Sequence, residues 1–163
     1  MKRVMVAAFF VVGLVAVGVG VAGINGNWST HSNGSMEVPV RDSQGQAQAI
    51  FHLSNDGDAL DFKLIATNIE GVTQSHIHCG PAGVNGPVVV FLYGFNAAGV
   101  APNGILNEGT ITDANVIPRP STDICPGGVA TLDDVIEKMN NGGAYVNVHT
   151  LVFPGGEIRG DIK

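Results

Sequence analysis

Charge is scarce in this sequence: Asp, Glu, Lys and Arg make up 13% of its 163 residues. After Arg3 no Lys/Arg cluster appears, and the net charge is -6. Nucleic acid and anionic membrane surfaces are therefore poor partners for it. Catalytic signatures are equally thin. There is no Gly-x-Ser-x-Gly elbow and no glycine-rich phosphate cradle with its lysine. Asp133 and Asp134 fall in the first turn of a predicted helix, where they complement its dipole. Asp56 and Asp58 flank a turn glycine and fall far short of a calcium loop. What the chain does have is a 45% hydrophobic content, 23 glycines and 8 prolines. That composition excludes disorder and suggests many turns joining many short strands.

The first residues form a separate unit. Met1-Lys2-Arg3 precede an uncharged apolar run, Val4 to Gly23. A basic start and an apolar run read as a secretory signal, with cleavage expected after Ala22. The run is also long enough to span a bilayer, so an uncleaved anchor is the alternative. The predicted organisation is a signal over 1–22 and one domain over 23–163. Both readings place that domain outside the cytoplasm, secreted, periplasmic or at the cell surface. The membrane is met only through the N-terminal segment, if it is kept.

That placement changes how Cys79 and Cys125 read, because they are the only two cysteines. An oxidising compartment favours joining them. The alternative is two buried free thiols.

Along the domain, Asn25 to Val40 reads as polar and irregular. Next, Ala47, Ala49, Phe51 and Leu53 alternate with Gln46, Gln48, Ile50 and His52, and Leu60, Phe62, Leu64 and Ala66 with Asp61, Lys63, Ile65 and Thr67. Asn55 to Asp58 lies between them, so the two segments predict a hairpin. Val72 to His78 and Pro87 to Tyr93 are further strands. The second is nearly all apolar, which predicts burial on both faces. Asn96 to Asn107 reads as loop, with a short strand over Glu108 to Thr112. One helix is predicted after Thr131, an N-cap with Asp134 in the capping-box position. Leu132, Val135, Ile136 and Met139 form its apolar stripe, and Asn141-Gly142-Gly143 ends it. In the tail, Val146 and Val148 face one way, and Tyr145, Asn147 and His149 the other. A hairpin through Pro154-Gly155-Gly156 that pairs His149 with Glu157 and Asn147 with Arg159 would gather those four on one polar face.

Several of these segments are familiar in combination. His76-Ile77-His78-Cys79-Gly80, the Asn147-Val148-His149-Thr150 stretch and Pro154-Gly155-Gly156-Glu157-Ile158-Arg159-Gly160, with Met36 to Val40 and the first hairpin, resemble the chordin-type (CHRD) domain. The resemblance covers nearly all of the domain. It implies an all-β extracellular domain, an antiparallel, Greek-key-like barrel or sandwich, here with one short helix. The family is named for repeats in a secreted animal antagonist of growth factors, and it brings no established catalytic residues. The cysteine pair is not part of the family pattern.

His76 and His78 lie at strand spacing, so both imidazoles face one side, about 7 Å apart along the strand. Together with His149 they make a candidate three-histidine site suited to Zn²⁺ or Cu²⁺, with an open fourth position. Asn147, Glu157 and Arg159 are the candidate outer partners, with Glu157 or Asn147 as a fourth ligand. Three readings follow for an exported module. It binds a metal through these histidines. Alternatively it binds an extracellular protein or glycan, and the histidines only knit the fold. The third is a copper redox enzyme resembling copper–zinc superoxide dismutase. That two-metal centre needs about six histidines and an aspartate, and this chain has five histidines. His31 and His52 look isolated. The non-enzymatic binding module is the reading favoured.

Overall fold

The first hairpin is built as its alternation dictates. In the computed structural model, which describes residues 26–163, β2 (Gln46–Leu53) pairs antiparallel with β3 (Leu60–Thr67). Phe51 faces Phe62 and Ala49 faces Leu64, all buried. The signal or anchor expected over 1–22 lies outside the described residues. Among the described residues no helix is long and apolar enough to cross a membrane.

The remaining strands are β1 (Asn27–Asn33), β4 (Val72–Cys79), β5 (Val88–Tyr93), β6 (Gly104–Ile111), β7 (Ala144–Thr150) and β8 (Ile158–Asp161). They form one eight-stranded sheet in the order β5-β4-β7-β8-β1-β2-β3-β6, with antiparallel pairing throughout. The crossovers from β3 to β4 and from β6 to β7 each skip two strands around the ring, which is Greek-key topology. The sheet curls into a nearly closed barrel. At the seam between β5 and β6, the Asn107 side-chain amide donates to the Leu92 carbonyl at 2.6 Å. Phe51, Leu60, Leu64, Ile77, Leu92, Val146, Val148 and Ile158 fill the interior.

Helix α1 (Leu132–Asn140) starts as its capping box predicts. Thr131 Oγ1 accepts from the Asp134 amide, and the Asp134 carboxylate accepts from the Thr131 amide at 2.9 Å. Its apolar stripe is buried, and Trp28 Nε1 on β1 donates to Asn140 Oδ1 at its last turn. The Cys79–Cys125 disulfide is present, with both residues buried. It ties the end of β4 to the irregular stretch before α1.

Three expectations need correction. The lead-in is not irregular, because Asn27–Asn33 is a full strand. Its inward residues after Trp28 are Thr30 and Ser32, so the alternation is hidden by small polar side chains on the core face. The strand expected at Glu108–Thr112 begins at Gly104, inside the expected loop. It runs along the whole of β3, with a bulge between Leu64 and Ile65. Finally, β5 is not buried on both faces. Val89, Val90 and Leu92 are buried, but Phe91 is 48% exposed, because it sits outside the barrel next to the seam.

Candidate metal centre

On β4, Ile77 points into the barrel and His76 and His78 point out. An outward residue is normally wet, yet His76 is only 2% and His78 8% exposed. The same holds on β7, where Val146 and Val148 point in, and Tyr145, Asn147 and His149 point out and are buried. The two strands are neighbours. His76 lies opposite Asn147, His78 opposite Tyr145, and Gln74 opposite His149. This brings His149 diagonally against His76.

Two loops and a turn cover this outer face. The loop after β4 supplies the Gly86 carbonyl, which accepts from His78 Nδ1 at 2.8 Å. Gly86 must be glycine, since a Cβ there would sit 1.8 Å from the Cys79 carbonyl oxygen. The turn after β7 supplies the Pro154 carbonyl, which accepts from His149 Nδ1 at 2.9 Å. The segment after β1 supplies Glu37, which accepts from Asn147 Nδ2.

The tautomers follow from these contacts. A carbonyl only accepts, so Nδ1 of both His78 and His149 carries the proton and each Nε2 keeps a lone pair. His149 Nε2 stands 3.1 Å from His76 Nδ1. His76 Nε2 and His78 Nε2 are buried with no hydrogen-bond partner. One nitrogen from each ring can be chosen so that all lie within 4.8 Å of one another. Tetrahedral zinc with bonds of about 2.0–2.1 Å sets ligand nitrogens roughly 3.3 Å apart. The 3.1 Å from His76 Nδ1 to His149 Nε2 is a hydrogen bond between the rings, and the chosen nitrogens, within 4.8 Å of one another, would have to draw in toward that spacing on binding.

Burial holds all three imidazoles neutral at pH 7. His76 is pushed from 6.5 to about 3, first by desolvation and then by the neighbouring His149 and His78. His78 falls to about 4 through desolvation, which outweighs its bond to Gly86; His149, then Arg159 and Arg119, add to the drop. Desolvation also lowers His149, against the Pro154 bond and the charge of Glu37. A neutral imidazole is the form that ligates a metal.

The outer partners fall in different places. Asn147 does pair with Arg159 across β7 and β8, and its amide donates to Glu37 and, at 3.1 Å, to the Ile158 carbonyl. Glu157 lies just beyond the ladder. Its carboxylate accepts from Ser43 Oγ at 2.6 Å and Thr150 Oγ1 at 2.7 Å, so it fastens the segment after β1 to β7. Arg159 is fully buried beneath the Tyr145 ring, 3.4 Å from its centroid. Its guanidinium donates to the carbonyls of Val84 (3.0 Å) and Pro81 (2.9 Å). It therefore holds the loop that presents Gly86 to His78. Replacing Arg159 by Leu is expected to cost about 3 kcal/mol in denaturant unfolding, because the buried guanidinium's hydrogen bonds to the loop and its stacking on Tyr145 are lost. A loss below about 1 kcal/mol would show that the loop holds itself.

Sequence reasoning missed three residues at the site. Tyr145 stacks on His78 with ring centroids 4.8 Å apart, and its hydroxyl accepts from the Gly86 amide. Its place in the Tyr145-Asn147-His149 alternation was the available signal. Phe91 meets His76 edge-on at 4.4 Å, and Glu37 lies in Met36 to Val40, whose part in the family resemblance was its available signal. His31 and His52 are outside the cluster. His52 bonds Asn27 on the exposed face of the first hairpin, and His31 is exposed on β1.

The family model described as the CHRD domain matches residues 28–162. This chain belongs to the CHRD-domain family. No curated protein and no solved structure matches it. CHRD domains are extracellular and generally non-catalytic, which supports a binding module of unspecified partner. The disulfide fits the oxidising compartment such a domain occupies. The histidine cluster on β4 and β7 is where this CHRD domain could hold a metal.

Proposed function

We propose that this CHRD domain is an exported, non-enzymatic module that binds one transition metal ion, Zn²⁺ or Cu²⁺, through His76, His78 and His149. The observation that carries the reading is the pair of buried, unpartnered Nε2 atoms on His76 and His78. An orphaned buried nitrogen costs roughly 1–3 kcal/mol, and a metal held through Nε2 of both rings would remove that penalty for both at once. The carbonyl bonds to His78 and His149 supply further support, since metal-ligating histidines usually donate their other nitrogen to such a group.

The non-enzymatic reading rests on the small ligand set. His31 and His52 do not join the cluster, so a second metal of the superoxide dismutase kind lacks ligands. Capture, storage or delivery of a metal ion outside the cytoplasm is the function this supports. The test is calorimetric titration of residues 23–163 with Zn²⁺ and with Cu²⁺ at neutral pH. Saturable one-to-one binding is expected, weakened by more than roughly a hundredfold in His76→Ala and in His149→Ala. Wild-type binding no tighter than in the variants would refute the proposal. A protein or glycan partner would then be the reading to pursue.

A further inference from the structure

Glu37 is a buried carboxylate, 4% exposed, in a segment that crosses the outer face of the sheet. Its oxygens meet only neutral donors, the Val38 amide at 2.9 Å and the Asn147 side-chain amide. Among the described residues it has no ion-pair partner. Buried carboxylates are normally paired with a cation or a metal, because desolvating an isolated charge is expensive. The approach of Glu37 to β7 is also built in. Gly156 takes φ +121, and a Cβ there would lie 2.7 Å from Glu37 Oε2 and 2.5 Å from Asn147 Oδ1. Asn147 in turn stands directly across from His76 and one inward residue away from His149. The charge of Glu37 is felt at His149, where it opposes the effect of burial.

We infer that Glu37 is the counter-charge of the cation held by the three histidines, and that it biases the site toward divalent over monovalent ions. This rests on the metal-binding reading. Three neutral imidazoles bring no charge of their own and the Arg159 and Arg119 cations already act on His78, so an ion entering this buried site depends on nearby anions for compensation. Coulomb attraction to a fixed carboxylate scales with the charge of the ion. Removing that carboxylate therefore weakens a divalent ion twice as much, in logarithmic units, as a monovalent one.

The experiment compares Zn²⁺ and Ag⁺ binding to residues 23–163, in chloride-free buffer, for wild type, Glu37→Gln and Glu37→Asp. Glu37→Gln keeps the size of the side chain and removes its charge. It is expected to weaken Zn²⁺ by about a hundredfold and Ag⁺ by about tenfold, within the range outer partners exert. Glu37→Asp, which keeps the charge, should retain the wild-type ratio of the two affinities. Equal losses for both ions in Glu37→Gln would mark a merely structural fastening and overturn the inference. So would a Zn²⁺ affinity that does not change, or a Glu37→Asp ratio that moves as far as that of Glu37→Gln. If wild type binds neither ion, the metal reading falls and this inference with it. If wild type binds both and Glu37→Gln binds them equally well, only the inference falls.

Discussion

Zinc at a hundredfold excess over its dissociation constant is expected to stabilise the folded domain by about 2.7 kcal/mol. For a domain of this size that raises the midpoint of thermal unfolding by about 10 °C. The argument is linkage: the three imidazoles converge only when β4 and β7 pair, so the unfolded chain offers no equivalent site. Binding to the unfolded chain would reduce the shift, and free thiols are its usual cause. Here both cysteines are in the disulfide, which removes that competitor. A chelator should return the midpoint to its starting value. His149→Ala should abolish the shift, while His31→Ala and His52→Ala leave it intact. Differential scanning fluorimetry with and without zinc decides the matter. A shift of the same size in His149→Ala would place the zinc elsewhere and remove the histidine site from consideration.

The second large effect concerns the disulfide. Cys79 and Cys125 are 46 residues apart in sequence, and the loop they close contains β5 and β6. Cross-linking a loop of that length removes chain entropy from the unfolded state worth about 4 kcal/mol. The double variant Cys79→Ser/Cys125→Ser should lose about that much in a denaturant titration, plus a smaller penalty for burying two hydroxyls in the core. A loss under about 1 kcal/mol would show that the stretch before α1 is ordered without the bridge. Zinc affinity of the folded variant is a separate matter. β4 is hydrogen-bonded on one side to β5 and on the other to β7, so His76 and His78 keep their places without the bridge. The variant should therefore bind zinc within about threefold of wild type while being far less stable. These two losses differ in kind, and measuring both separates the strand pairing that builds the site from the cross-link that stabilises the fold.

Much of this architecture is written locally. The period-two alternation of Ala47 to Leu53 and Leu60 to Ala66 specifies a hairpin, because a one-residue slip would put every apolar side chain in water. Thr131 and Asp134 specify where α1 begins through bonds that span three residues. The spacing of His76 and His78 puts both rings on one face whatever the rest of the chain does. Local patterning also failed in a consistent way. β1 was hidden because its core-facing Thr30 and Ser32 are polar, and β6 because its first half is exposed and irregular in composition.

From the sequence by itself came an all-β domain with one helix and the side of each strand the histidines take, while the pairing of its cysteines was favoured by inferred export and left open against two free thiols. Only the tertiary structure decided that β4 lies beside β7, which brings His149 to His76. It also decided that the outer face of that pair is roofed by the loop of Gly86, the turn of Pro154 and the segment of Glu37. The reason is physical. Alternation fixes the two faces of a strand but carries no information about which strand lies next to it, or about what covers the outer face. Those depend on pairings between residues more than seventy positions apart, and on one buried arginine, Arg159, whose hydrogen bonds fix a distant loop in place.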